Sequence, residues 1–257
     1  MGKFYLKIIL IVVLSVIHYS LFIIPQQVNG QTITNIKNAL RGIVDNLEQL
    51  SKLPPKNTEE IKLRKAALRN VIDLATAESN DLKNKLIKLE DLENGYLELR
   101  DTLLKELGNH SNYYDSINLT LEKETNLAKV KNISTQLRDW RHIVYHPTLQ
   151  KVVNFLLVFE GGDALKLAET RFNNISDGLK KVGNLETIKG SPLSGLLVQA
   201  EKSLDEAREL QKAAMLIILK SANNDTQQLI EDELDKIKEA YGYFIEMSDW
   251  LKKASKK

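Results

Sequence analysis

The sequence predicts an all-α protein: an elongated, antiparallel, coiled-coil-like bundle of about six or seven helices behind an N-terminal export segment. Three observations carry this expectation. Apolar residues recur at steps of three and four along nearly the whole chain, the period of one helix face. No stretch alternates apolar and polar residues for more than a few positions, so a strand has no signal. Pro54, Pro55, Pro147 and Pro192 all fall between periodic segments, where a helical chain tolerates proline. No repeat of fixed period is visible, which sets solenoids aside. Helix packed on helix is the layer arrangement that remains.

The export segment comes first. Lys3 and Lys7 precede an apolar stretch, 8–24, with a short polar break at His18, Tyr19 and Ser20. Pro25 ends it, and a polar stretch leads to Val28 and Gly30, the third and first positions before a cut between Gly30 and Gln31. A basic end, an apolar core and a small-residue exit make a secretory signal peptide over 1–30. The apolar part is 17 residues long, which also approaches a membrane span. The alternative is therefore an uncleaved anchor across about 8–24. Either reading places 31–257 outside the cytoplasm, with the two lysines on the inner side.

Each later element has its own signature. Ile33, Ile36, Leu40, Ile43, Leu47 and Leu50 form a heptad seam that Pro54 and Pro55 stop. Asn57 and Glu60 resemble a capping pair opening a long helix over 58–107, continuous or in collinear pieces. Its weak points are Asn94-Gly95 and Ser79-Asn80-Asp81. The polar stretch 108–116 reads as a loop carrying an exposed pair, Tyr113 and Tyr114. A third helix carries Val130, Ile133, Leu137, Trp140 and Val144, and Pro147 starts a short fourth. Residues 152–159 are apolar nearly all round, as in a central core helix.

Gly161, Gly162 and Asp163 predict a break, so that 31–257 has a possible subdivision near 146–163. The fifth helix runs through Leu165, Ala168, Phe172, Ile175 and Leu179 to Gly183. Ser191-Pro192 opens the sixth, with Leu193, Leu197, Ala200 and Leu204. Asn223-Asn224 separates it from the last, which carries Ile230, Leu234, Ile237, Tyr241 and Phe244 and ends in a lysine-rich tail.

Composition then limits function. The chain has 36 Lys and Arg against 34 Asp and Glu, and both excess charges belong to Lys3 and Lys7. A neutral exported part excludes a dedicated nucleic-acid binder. The lack of cysteine excludes disulfides, thiolate nucleophiles and cysteine metal sites. Neither a phosphate-cradling glycine loop, a nucleophile elbow, a zinc-protease motif nor a Ser-x-x-Lys motif occurs. No catalytic residue and no cofactor are assigned.

Two constellations do stand out. Asp139, His142 and His146 are spaced to share a helix face, a weak candidate metal set, although His146 precedes proline and the di-iron pattern is incomplete. Five glycosylation sequons begin at Asn109, Asn118, Asn132, Asn174 and Asn224, against roughly two by chance. All five are expected to be exposed.

The sequence thus predicts a non-catalytic exported bundle that binds or scaffolds at the cell envelope, with a protein or envelope component as partner. Homo-oligomers through the heptad seams are open, and membrane contact through 8–24 requires an uncleaved signal. A membrane-active, pore-forming-like protein is the alternative, with 152–159 and 213–219 as inserting segments. A metal-dependent enzyme using Asp139, His142 and His146 is the lesser one.

Overall fold

The computed structural model describes residues 30–53, 59–182, 192–220 and 224–254. Residues 1–29 of the export segment, the Pro54-Pro55 stop, Asn57 of the capping pair, Gly183, Ser191, Lys256 and Lys257 lie outside the described residues. Every regular element among the described residues is helical: α1 (Gly30–Lys52), α2 (Glu59–Ile87), α3 (Asn94–Lys123), α4 (Leu127–Trp140), α5 (His146–Val182), α6 (Pro192–Lys220) and α7 (Asn224–Ala254). A π-helical turn, Arg141–Tyr145, joins α4 to α5 without a break. The chain divides into two compact units, Met1–Val153 and Asn154–Lys257, the division falling within α5.

In the first unit α2, α3 and α4 run up, down and up. The Lys65 ammonium reaches the carbonyls of Glu122 and Glu124, whereas Lys83, five turns further along α2, bonds Ser111. The sequence numbers rise on one helix as they fall on the other, so α2 and α3 are antiparallel. Lys131 near the start of α4 meets Glu60 near the start of α2, which makes those two parallel. Leu86, Leu103, Leu107, Leu121 and Leu137 fill the seam and are almost wholly buried. Each contributes about 1.5–3 kcal/mol by leaving water. Helix α1 lies on α2 at Gly42, where a Cβ would stand 2.6 Å from the Asn70 amide nitrogen. Asn126 caps α4, its side-chain oxygen accepting from the backbone N–H groups of Ala128 and Lys129.

In the second unit α5, α6 and α7 repeat the up-down-up order. Lys236 of α7 pairs with Glu206 of α6, and residues 192–199 lie beside 246–250. On α5, Gly161 faces Glu233 and Phe172 faces Phe244, so α5 and α7 are parallel. Ala168, Ala200, Ala207 and Ala240 are fully buried among larger neighbours such as Leu204, Phe244 and Met247. Small side chains here let the helix axes approach closely.

Four sequence expectations need correction. The long helix 58–107 is two antiparallel helices, because the chain turns back at 88–93, where Asp91 takes a φ of 54°. Asp tolerates that left-handed region. Asn94 and Gly95 open α3, and Ser79 to Asp81 lie in unbroken helix. The stretch 108–116 is helix, in the middle of α3. Gly161 and Gly162 do not break α5; they are helical and admit the side chains of Glu233 and Gln211. Pro147 does not start a separate short helix either. It rides in a continuous rod, where the π turn directs the His146 N–H to the Arg141 carbonyl. Residues Val152, Phe155 and Val158 are fully buried, as their all-round apolar pattern predicts.

Candidate functional site

The densest polar chemistry among the described residues lies inside the first unit. Helix α2 supplies Glu78 and Ser79, α3 supplies His110, Tyr113 and Tyr114, and the end of α4 with the π turn supplies Trp140, Arg141 and Tyr145. Residues Ile133, Leu137, Arg141, Tyr145 and Leu149 are all buried and all four apart. Steps of four without a three outrun the 3.6-residue period. The wider π turn takes up that lag and keeps Arg141 and Tyr145 on the inward face.

The Tyr145 hydroxyl donates to Glu78 Oε2 at 2.8 Å, and its oxygen lies 3.3 Å from Ser79 Oγ. With the tyrosine proton committed to Glu78, Ser79 is the donor in that second bond. Arg141 Nη1 donates to the Tyr114 hydroxyl at 3.3 Å, and Nη2 lies 3.8 Å from Glu78 Oε2. The guanidinium carbon stands 5.0 Å from the centre of the Tyr145 ring, a cation–π contact. His110 meets Trp140 and Tyr145 edge-on, and Tyr113 stacks on Trp140 at 3.9 Å between centroids.

Burial dominates the electrostatics. It raises the Glu78 carboxyl above its usual range, while Arg141 and the Tyr145 hydrogen bond pull the other way. It raises both Tyr114 and Tyr145, so each phenol keeps its proton. It opposes the Arg141 charge, but Tyr114 and Glu78 more than offset this and the guanidinium stays charged. Burial also lowers His110, against a smaller opposing effect of Glu106. His110 Nδ1, Trp140 Nε1 and Glu106 Oε2 are buried without a hydrogen-bond partner among the described residues. Glu78, Arg141, Tyr114 and Tyr145 thus engage one another, and Ser79 beside them is fully buried. The cluster fixes how three helices pack.

The residues singled out from sequence are placed differently. Asp139 accepts both bonds of its neighbour Arg138, at 2.8 and 2.6 Å. His142 is exposed and His146 is half-buried, its affinity for a proton lowered by burial, by His142 and by Arg141. No group of three or more His, Asp or Glu side chains among the described residues is placed to hold a metal ion. Asn109, Asn132 and Asn174 are exposed, all on helices. Asn118 departs from expectation: it sits within α3, half-buried, its side-chain oxygen enclosed. Asn224 is the first residue of α7, its side chain outside the described set. Gly30 and Gln31 open α1. Tyr113 and Tyr114 are no exposed loop pair, since Tyr114 is completely buried and Tyr113 half-buried.

Sequence reasoning missed Glu78, His110, Arg141 and Tyr145, but a signal was there. Leu103, Leu107, His110, Tyr114 and Leu121 continue the seam at steps of four, three, four and seven. The seam crosses the apparent loop on a histidine and a tyrosine instead of aliphatic residues.

The second unit carries an outward feature. A groove of about 440 Å³ runs between α5 and α7, lined by Arg171, Asn174, Ile175, Tyr241, Phe244, Ile245, Ser248 and Asp249. Arg171 stands over the Tyr241 ring at 5.2 Å, and Ile245 is 62 % exposed.

Fold and site together define an all-α helical-bundle protein. No family model, no curated protein and no solved structure matches this chain.

Proposed function

We propose that this is a non-catalytic, exported helical-bundle protein that acts by binding or scaffolding at the cell envelope. One observation carries the reading: Glu78, Arg141, Tyr114 and Tyr145 bond one another in the interior, whereas the groove between α5 and α7 presents the exposed Ile245 and the half-buried Tyr241 beside Arg171 and Asp249. Apolar surface rimmed by charge is the chemistry of a protein-binding face. The basic, apolar and small-residue order of 1–30 supports export. Fractionation of the native cells with N-terminal sequencing tests the location. A first residue at Gln31 in the envelope or medium is expected; a membrane-bound chain retaining Lys3 supports the anchored form. An intact Met1 or Gly2 terminus in the cytosol overturns the proposal. A photo-crosslinker at Ile245, used on intact cells, is expected to capture an envelope component, and capture is expected to fall when Tyr241→Asp disrupts the groove.

A membrane-active role is the second reading. It is supported by the patch 213–219, in which Ala214 and Ile218 are buried but Leu216 and Leu219 are 59 % and 42 % exposed. No helix among the described residues is long and apolar enough to cross a membrane, so insertion requires rearrangement. Dye release from anionic and zwitterionic liposomes is the expected result of this reading. Retention of dye over a range of pH refutes it.

A further inference from the structure

We propose that Glu233 and the glycine notch of α5 form a protonation-gated contact in the second unit, seated when the carboxyl is neutral and released when it ionises. The geometry is specific. Glu233 is wholly buried, and neither carboxyl oxygen has a hydrogen-bond partner among the described residues. Its oxygens lie 2.9 and 3.2 Å from where a Cβ on Gly161 would stand, so the missing side chain of that residue makes the room. The adjacent Gly162 admits Gln211 in the same way, and Gln211 Nε2 donates to the Val158 carbonyl at 2.8 Å. A glycine pair in mid-helix sacrifices helix propensity, and here it serves to bring one acid and one amide onto the α5 backbone.

No charge from the three helices compensates the acid. On α5 the neighbouring Glu160 and Asp163 are exposed acids. On α6 Gln211 is neutral, and Arg208 one turn earlier is held by Glu169 and Asp205. On α7 Asp232 and Asp235 are exposed, and Lys236 is held by Glu206 and Glu239. Burial alone raises the Glu233 carboxyl, from 4.5 to about 7. The folded unit therefore keeps a proton that the unfolded chain has lost between about pH 4.5 and 7. Stability is greatest below that window, falls as pH rises through it, and stays lower above. Ionisation loosens the helix whose inward face carries Ile230, Ile237, Phe244 and Met247.

Hydrogen exchange of the α7 amides in the full chain, corrected for intrinsic rates, tests this. From pH 4.5 to 8 their protection is expected to fall by up to roughly 150-fold, while Glu233→Gln shows a flat profile. An unchanged profile in the native chain, or an equal fall in the variant, overturns the proposal. Should Glu233→Gln fail to fold, carbon NMR of the Glu233 carboxyl in the native chain decides. Titration near neutrality supports the gate, and titration in the ordinary carboxylate range overturns it.

Discussion

Replacing Arg141 by alanine is expected to cost about 3–5 kcal/mol of stability, because it strands a buried acid. Arg141 is 8 % exposed and is the cation facing Glu78. Its loss leaves Glu78 with the Tyr145 hydroxyl and takes the donor away from Tyr114. Glu78 is already raised by burial, with Arg141 opposing. Removing that opposition raises it further. The folded variant then holds a proton that the unfolded chain releases, so the loss deepens as pH rises above the ordinary carboxylate range. Pairing Arg141→Met with Glu78→Gln removes both charges and keeps most of the volume, and it is expected to recover much of the loss. Urea unfolding midpoints of the two single variants and the double variant measure the coupling. An Arg141→Ala loss below about 1 kcal/mol would show that the pair holds nothing together.

Much of the fold was legible because a helix buries a stripe, and a stripe leaves a period. The seams through Leu165, Ala200 and Ile237 were read from spacing and are buried. What spacing does not encode is where a helix turns back. Residues 88–93 hold neither glycine nor proline, and Asn94-Gly95 just beyond them marks a weak point without distinguishing a bend from a full reversal at Asp91. The seam continues on both sides, and only packing of its two halves on each other, which buries Leu86 on one and Leu103 on the other, rewards the reversal. Glycine misled in the opposite direction. Gly161 and Gly162 looked like a break, but a tertiary neighbour needed the space. The buried cluster was hidden for a related reason. Polar residue types are ordinarily read as surface, yet Arg141 and Tyr114 occupy seam positions bonded to each other, and His110 occupies one packed edge-on against Tyr145. The weak metal candidates fall on the π turn and its flanks, with Asp139 bonded to Arg138, His142 exposed and His146 half-buried.

The second large effect is expected at Leu86, in the last turn of α2, where Leu86→Asp should destabilise the chain by at least about 4 kcal/mol. Leu86 is completely buried, and truncation of such a side chain alone costs about 2–5 kcal/mol. The substitution adds a carboxylate to that interior. The neighbouring cations are engaged, Lys85 with Asp81 at 3.3 Å and Lys83 with Ser111 at 2.8 Å. An unpaired buried acid takes up a proton when folded, so the damage is expected to be smaller at pH 4 than at pH 8. Leu86→Ala, lacking the carboxyl, should show no such difference. The adjacent Ile87 supplies the control. It is 61 % exposed, and Ile87→Asp should change stability by no more than about 0.5 kcal/mol. Urea unfolding of the three variants at both pH values distinguishes the faces of α2. If Ile87→Asp proved the damaging change and Leu86→Asp the mild one, the helix would be rotated by one residue. Glu78 and Ser79, on the same helix, would then not point at Tyr145, and the buried cluster would dissolve with the register that places it.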